Sequence, residues 1–317
     1  MQSLLSSFVP IWALTAVGYL VGRSGLLGAE AESVLGRFVF HVAMPAALFT
    51  MIARAPLSGF ANTSMIAFAV GTVLVCALGF TFGRRFFRRR LADQAISGMA
   101  AGYVNSANLG IPVAIQVLGE ASFLAQVLLF QVLLVSPVIL MMLDGDSATG
   151  TGGRGIRPGL ARMLLMPVRN PIIMASALGV LVSAAGRHLP SALARPCELL
   201  GGAAVPTALV TLGMSLHGRA PATGTDRRAE VGVAVALKTL VQPLVALAVG
   251  GLVLHLPSHQ LLAVVLCSAL PTAQNAFVYA RQYGLSTTLP RNAVLCSTLV
   301  SMATLSLIYW ALGPTHR

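Results

Sequence analysis

The sequence predicts an all-α integral membrane protein whose ten transmembrane helices form two inverted repeats of five. Three observations support this prediction: an apolar composition, ten hydrophobic segments, and motifs that recur in both halves of the chain. Hydrophobic residues make up 56% of the 317 residues and charged residues only 9%, whereas soluble domains carry about 25% charged residues. The mean hydropathy is +0.82. A soluble protein of this size could not cover its surface with so few charges.

Ten segments are long and apolar enough to cross a bilayer, which takes roughly 20 residues. They are Leu4–Val21, Leu35–Ala53, Phe60–Phe82, Ile96–Leu118, Ala121–Leu143, Met166–Ala185, Leu199–Leu216, Val231–Leu254, Leu261–Tyr279 and Ala293–Leu312. The longest polar stretch follows the fifth segment. The chain is therefore predicted to divide into a first repeat (1–143), a cytoplasmic linker (144–165) and an inverted second repeat (166–317).

The arginines indicate the orientation, because cytoplasmic loops are enriched in Lys and Arg. Loops after odd-numbered spans hold most of the arginines, whereas loops after even-numbered spans hold Arg54, Arg187 and Arg195. We therefore expect a multi-pass protein of the cytoplasmic membrane, embedded in lipid, with both termini outside. The net charge of +12 does not indicate nucleic acid as a partner, since the basic residues alternate with apolar segments.

Motifs recur at matching places in the two halves. The pattern P-x-A-L-x-T occurs at residues 45–50 in span 2 and at 206–211 in span 7. Span 4 contains amides and helix breakers at 105–112, and span 9 contains a similar set at 271–275. With five spans in each half, a related second half must be inverted. Recurring breaks of this kind are typical of inverted-repeat transporters.

The breaks in spans 4 and 9 are the predicted binding site. Non-helical backbone at membrane depth must line a cavity or be buried in protein. Each break creates a half-helix N-terminus, expected just after Asn108 and Thr272, and such N-termini attract anions. The alternative is that the prolines only kink the helices while the amides bond between helices. The predicted substrate-binding residues here are Asn105, Asn108, Gly110, Pro112, Pro271, Thr272, Gln274 and Asn275.

Lys238 joins this set as the only lysine of the chain, well inside span 8. A buried amine in a membrane is costly and usually functional. Since no carboxylate lies deep in any span, we expect Lys238 to face the carbonyls of an unwound segment or an anionic substrate. The alternative is snorkelling to the cytoplasmic side.

His41, in span 2, is a candidate for proton coupling because the usual pKa of histidine suits that role. The alternative is a neutral histidine bonded to a neighbouring helix. We find no metal-ligand spacing and no cofactor motif, so no cofactor is expected. A nucleophile with its base, paired aspartates and an H-E-x-x-H motif are also missing, which argues against an intramembrane hydrolase and against an enzyme in general.

Five stretches together resemble the auxin efflux carrier family, which includes the plant PIN auxin transporters and bacterial carriers for malonate and malate. They are 38–49, 103–112, 205–216, 237–243 and 269–277, and the resemblance covers nearly the whole chain. It implies a ten-span fold related to sodium/proton antiporters. Spans 1, 2, 6 and 7 would form a scaffold, often a homodimer interface. Spans 3–5 and 8–10 would form a transport domain moving like an elevator, with substrate at the crossing of helices 4 and 9.

The expected function is secondary transport of a small organic anion by alternating access. The substrate would be a mono- or dicarboxylate such as malonate, malate or an auxin-like acid. Alternatives are a sodium-coupled symporter or sodium/proton antiporter of the same fold, and an anion sensor that does not transport. Plant relatives have an acidic residue near the site that has no counterpart here, which leaves the coupling ion open.

Overall fold

The computed structural model describes residues 2–28, 30–54, 62–119, 122–150, 171–186, 190–217 and 225–313. Within these ranges every regular element is a helix, and the only β pairing is an isolated antiparallel bridge between Val104 and Thr272. The predicted all-α class is therefore confirmed. Residues 151–165 of the predicted linker lie outside the described ranges.

The helices follow the predicted segments in order. Those of the first half are α1 (Gln2–Ser24), α2 (Ala31–Arg54), α3 (Thr63–Arg85), α4 (Leu91–Gly102), α5 (Ile111–Leu118) and α6 (122–150). Those of the second half are α7 (Pro171–Ala184), α8 (Ser191–Met214), α9 (225–253), α10 (Ser258–Ser268), α11 (Asn275–Gln282) and α12 (Thr288–Leu312).

Helix α6 continues to Gly150, beyond Leu143, the predicted end of the fifth span. One contact beyond Leu143 is made by Asp144, whose carboxylate accepts a hydrogen bond of 2.5 Å from the hydroxyl of Tyr283. The beginning of the predicted linker is therefore helical.

In the described part of the chain, six helices are long and apolar enough to cross a membrane: α2, α3, α6, α8, α9 and α12. Helices α7 and α10 are shorter and also apolar. Large apolar side chains lie exposed on the outer faces, among them Val73, Leu181 and Leu252. Apolar surface on this scale indicates contact with lipid.

Prolines inside the helices are accommodated by wider turns. Proline has no N–H and clashes with the carbonyl four residues before it. In four places the N–H of the residue just before a proline instead bonds the carbonyl five positions back, forming a π turn. The prolines concerned are Pro45, Pro112, Pro137 and Pro243. Pro112 therefore sits in the first turn of α5, and the interruption of span 4 lies before it.

The helices fall into two groups by their main contacts. In the first group α1 packs against α8, and α2 packs against α7 and α8. In the second group α3 packs against α4, α9 and α10, while α4 packs against α6 and α9, and α9 packs against α12. Weaker contacts join the groups, including those of α1 with α5 and of α2 with α11. The crossover described below belongs to the second group and faces the first.

Candidate binding site at the helix crossover

Two helical interruptions lie side by side at the centre of the site. Between α4 and the π turn that leads into α5, residues 103–105 are non-helical, and between α10 and α11 the same holds for the chain around Pro271 and Thr272. The N–H of Asn105 donates to the carbonyl of Pro271 at 2.8 Å, and the N–H of Ala273 donates to the carbonyl of Tyr103 at 3.1 Å. These two bonds flank the bridge between Val104 and Thr272.

Side chains from neighbouring helices bond several other backbone groups of these interruptions. Gln131 of α6 accepts from the N–H of Val104 at 3.1 Å and donates to its carbonyl at 2.9 Å. The N–H of Thr272 donates to Ser297 Oγ at 3.0 Å, and the Thr272 hydroxyl donates to the carbonyl of Ala100 at 2.7 Å. Buried backbone groups need such partners where water is excluded.

The half-helices begin slightly away from the predicted points. Asn105 is the N-cap of the turn Ser106–Gly110, and its Oδ1 accepts from the N–H of Asn108 at 3.4 Å. Helix α11 begins at Asn275 with Gln274 as its N-cap. The sequence predicted starts after Asn108 and Thr272. The start moves because the Asn105 side chain caps the turn earlier, while Thr272 is held in the bridge.

A cavity of about 90 Å³ opens between the crossover and the first helix group. Its walls come from the crossover segments and from α2, α6 and α8. The lining residues include Tyr103, Asn105, Ser106 and Asn108; Gln274 and Asn275; Met44, Ala47, Leu48 and Met51; Leu128 and Val132; and Ala204, Val205 and Ala208. The site is thus a mostly apolar pocket with a few converging amides, which is typical of small-molecule sites.

Four of the predicted residues line this cavity: Asn105, Asn108, Gln274 and Asn275. The others are not among its lining residues. A Cβ added to Gly110 would lie 2.4 Å from Leu124 Cδ1, so this glycine permits close packing. Thr272 is fully buried and, like Pro271, takes part in the crossover bonds. The structure brings the amides together, and the remaining residues shape the backbone around them.

One buried amide oxygen of the cavity is available to a ligand. Gln274 is 4% exposed, and in the described part of the chain its Oε1 has no hydrogen-bond partner. The Asn275 side chain lies close to the Tyr103 hydroxyl, which itself bonds Ser136 at 2.9 Å. An amide can offer either an acceptor oxygen or two N–H donors. A buried amide oxygen without a partner is costly, so a ligand group that donated a hydrogen bond to Gln274 Oε1 would be favoured.

Lys238 faces backbone carbonyl oxygen, which is one of the placements that the sequence left open. It is fully buried, and its Nζ donates to Gln242 Oε1 at 2.5 Å and to the carbonyl of Ser268 at 3.0 Å. The lysine therefore faces a carbonyl at the end of α10, next to the interruption, and does not snorkel. It is not among the residues that line the cavity.

His41 lies away from the cavity. Its side chain is exposed, its Nε2 is 2.8 Å from Gln282 Nε2 on α11, and its ring meets Phe40 edge-on. This is the placement expected of a histidine bonded to a neighbouring helix.

Sequence reasoning did not identify two parts of the site. Gln131 supports the crossover, and its signal in the sequence is a glutamine in the middle of a largely apolar span. The walls from α2 and α8 could have been found from the repeated P-x-A-L-x-T motif, because Ala47 and Ala208 occupy the same position in its two copies and both line the cavity.

Comparison with known proteins identifies the family. The family described as membrane transport protein matches residues 3–149 and 157–309. The chain belongs to this family, the auxin efflux carriers. It is a membrane transporter, and the predicted family is confirmed.

Relatives span bacteria and plants. A Rhizobium meliloti (strain 1021) protein named "Putative malonate transporter" is 30% identical over 315 residues, covering 96% of this chain and 95% of the relative. The "Uncharacterized transporter YfdV" of Escherichia coli (strain K12) is 26% identical and covers 89% of each chain. The "Probable auxin efflux carrier component 1b" of Oryza sativa subsp. japonica is 31% identical over 157 residues, covering 46% of this chain and 26% of the relative.

Proposed function

We propose that this protein is a secondary transporter of a small organic anion, a mono- or dicarboxylate such as malonate, across the cytoplasmic membrane. The observation that carries the proposal is the cavity at the paired interruptions, where four amides converge whose N–H groups can donate to carboxylate oxygens. The similarity to a relative named for malonate transport favours a short carboxylate. The chain binds and moves its substrate without covalent chemistry, so it is not an enzyme.

The character of the cavity favours an anion. No carboxylate is among the lining residues that the structure describes, so no fixed negative charge repels an acid there. Amide N–H groups and the helical turn that begins after Asn105 can donate to carboxylate oxygens. The apolar walls from α2 and α8 would contact the carbon chain of the substrate.

The two helix groups support an elevator with ten spans in two inverted repeats. The group α1, α2, α7 and α8 would form the scaffold, and the group α3–α6 with α9–α12 would form the transport domain. Because the cavity lies between the groups, movement of one against the other would expose it to alternate sides. The scaffold would also supply a homodimer interface. The distribution of arginines supports placing both termini outside.

Counterflow of radiolabelled malonate in proteoliposomes tests the proposal. Asn108→Ala and Asn275→Ala should each lower the initial rate at least tenfold, because each removes a polar group from the cavity. Thr81→Ala, which changes an exposed polar side chain outside the cavity lining, should transport normally. Gel filtration and thermal unfolding would show that all three remain folded. Malate, acetate and an aromatic auxin-like acid would be compared as competitors.

Normal counterflow in both cavity variants would overturn the site. Absence of counterflow in the unmodified protein for every acid, despite measurable binding, would favour a sensor.

A further inference from the structure

Lys238 lies at a point where two helices end. Its Nζ donates to the carbonyl of Ser268, the last residue of α10, at 3.0 Å. Its other partner, Gln242, donates through Nε2 to the carbonyl of Gly102, the last residue of α4, at 3.1 Å. Helices α4 and α10 both stop at the crossover. One lysine, directly and through one glutamine, therefore binds the C-terminal carbonyls of both.

The hydrogen-bond partners of the lysine are oxygen atoms. Gln242 Oε1 accepts from Nζ at 2.5 Å, and Gln242 Nε2 also donates to Thr72 Oγ1 at 3.2 Å. The Ser268 hydroxyl oxygen is buried and has no hydrogen-bond partner in the described part of the chain. Both partners of Nζ are acceptors, which is the pairing that an ammonium group needs.

In the part of the chain that the structure describes, no carboxylate forms an ion pair with this lysine. Helix C-termini carry a partial negative charge of about half an electron each. The ends of α4 and α10 are therefore the groups that favour a cation at this position. Carbonyl, amide and hydroxyl oxygens are also the ligands that hard metal cations prefer.

We propose that the Lys238 ammonium is a tethered cation that occupies the position between the C-terminal ends of α4 and α10, where a soluble cation could otherwise bind. A soluble cation such as Na⁺ is then not needed to hold the ends of α4 and α10 together. The lysine acts as a positioning residue for the crossover and does not contact the substrate. Independence of transport from sodium rests on the proposed transport function, whereas occupancy of the position by lysine does not.

Thermal unfolding of the purified protein in NaCl or choline chloride of equal ionic strength tests occupancy without any transport assay. The melting temperature of the unmodified protein should be the same in both salts. Lys238→Ser removes the charge, leaves space and adds an oxygen, so its melting temperature should be lower in choline and should rise saturably with Na⁺. Lys238→Arg, the matched control that keeps the charge, should be insensitive to the choice of salt.

Malonate counterflow gives the second measurement. The unmodified protein should transport within twofold in Na⁺ and choline. Lys238→Ser should be at least tenfold slower in choline and should recover at least threefold in Na⁺.

Three results would overturn the proposal: a saturable rise in the melting temperature of the unmodified protein with Na⁺, sodium stimulation of its counterflow beyond twofold, or Lys238→Ser that is as stable as the unmodified protein in choline. If Lys238→Ser cannot be purified, the sodium titration of the unmodified protein still tests whether the position between α4 and α10 binds Na⁺. Absence of malonate counterflow in the unmodified protein would count against the transport proposal only, since the unfolding measurement stands without it.

Discussion

Amide side chains have two different functions at the crossover. Gln131 is 1% exposed and uses both ends of its amide on the backbone of Val104. Gln274 is nearly as buried, yet its oxygen has no partner in the described residues. The first amide is committed to structure and the second is available to a ligand. Two amides with similar burial can therefore differ in function, and their hydrogen-bond partners show which amide is structural and which can bind a ligand.

Replacing Gln131 should destabilise the protein. In Gln131→Leu the N–H and carbonyl of Val104 would lose their side-chain partner, and a buried unpaired polar group costs about 1–3 kcal/mol. We expect a clear fall in the melting temperature measured by thermal unfolding in detergent. Gln282→Leu, which removes only the contact with His41, should cause a smaller fall. Equal melting temperatures for Gln131→Leu and the unmodified protein would show that Gln131 does not support the crossover.

Among the helices, glycines determine how closely α1 and α8 pack. A Cβ on Gly213 of α8 would lie 2.0 Å from the carbonyl oxygen of Thr15, and one on Gly18 of α1 would lie 2.1 Å from the carbonyl oxygen of Val210. Each glycine thus faces backbone of the other helix, which cannot turn aside as a flexible side chain can. Small residues allow this approach between membrane helices.

Two alanine substitutions in α8 should differ in their effect on stability. Gly213→Ala should lower the melting temperature and the yield of folded protein, because α1 and α8 would have to separate. Gly202→Ala is the matched control in the same helix, since a Cβ there meets nothing within 4 Å. It should be neutral or slightly stabilising, because alanine favours the helix by about 1 kcal/mol over glycine. Equal losses in the two variants would contradict the close contact.

The prolines in the helices indicate the interruptions only in part. Pro45, Pro112, Pro137 and Pro243 all follow π turns that keep the helix continuous. These four prolines therefore mark a change in helical winding and not a break, whereas Pro271 lies within the interruption between α10 and α11. The break in span 4 requires the segment before Asn105 to find partners outside its own helix.

For the molecule as a whole, several contacts join the two helix groups. Arg281 of α11 pairs with Glu32 of α2, and Arg291 of α12 donates to the carbonyl of Ser215, just after α8, at 2.7 Å. These contacts would have to change if the proposed transport domain moves against the scaffold. They all lie near chain segments that the arginine distribution places in the cytoplasm.

Orientation of the whole chain can be tested by labelling. Cys76, Cys197, Cys267 and Cys296 are free, so replacing them by serine breaks no disulfide. Added to that background, Ser191→Cys should react with a membrane-impermeant maleimide in intact cells, because it lies at the predicted outer side. Phe86→Cys, exposed at the end of α3, should react only after permeabilisation. The reverse pattern would invert the proposed topology.

The sequence was sufficient for properties that depend on neighbouring residues in the chain. Composition and hydrophobic segments established a helical membrane protein, and the motifs established the family. The amides of Asn105, Asn108, Gln274 and Asn275 line the cavity, and their role in substrate binding stays a prediction. These features follow from local composition and spacing. A bilayer requires long apolar segments, and it makes every unpaired backbone polar group costly.

Only the tertiary structure could show which of these residues meet. Residues 103–105 pair with residues 271–273 across more than half the chain, Gln131 reaches the crossover from α6, and Lys238 faces the end of α10 and not the cavity. Such contacts depend on how the helices pack, and the packing depends on glycines and small residues whose partners are distant in sequence. The same lysine in the same span could have faced substrate, lipid headgroups or carbonyls, and the position of its neighbouring helices decided among them.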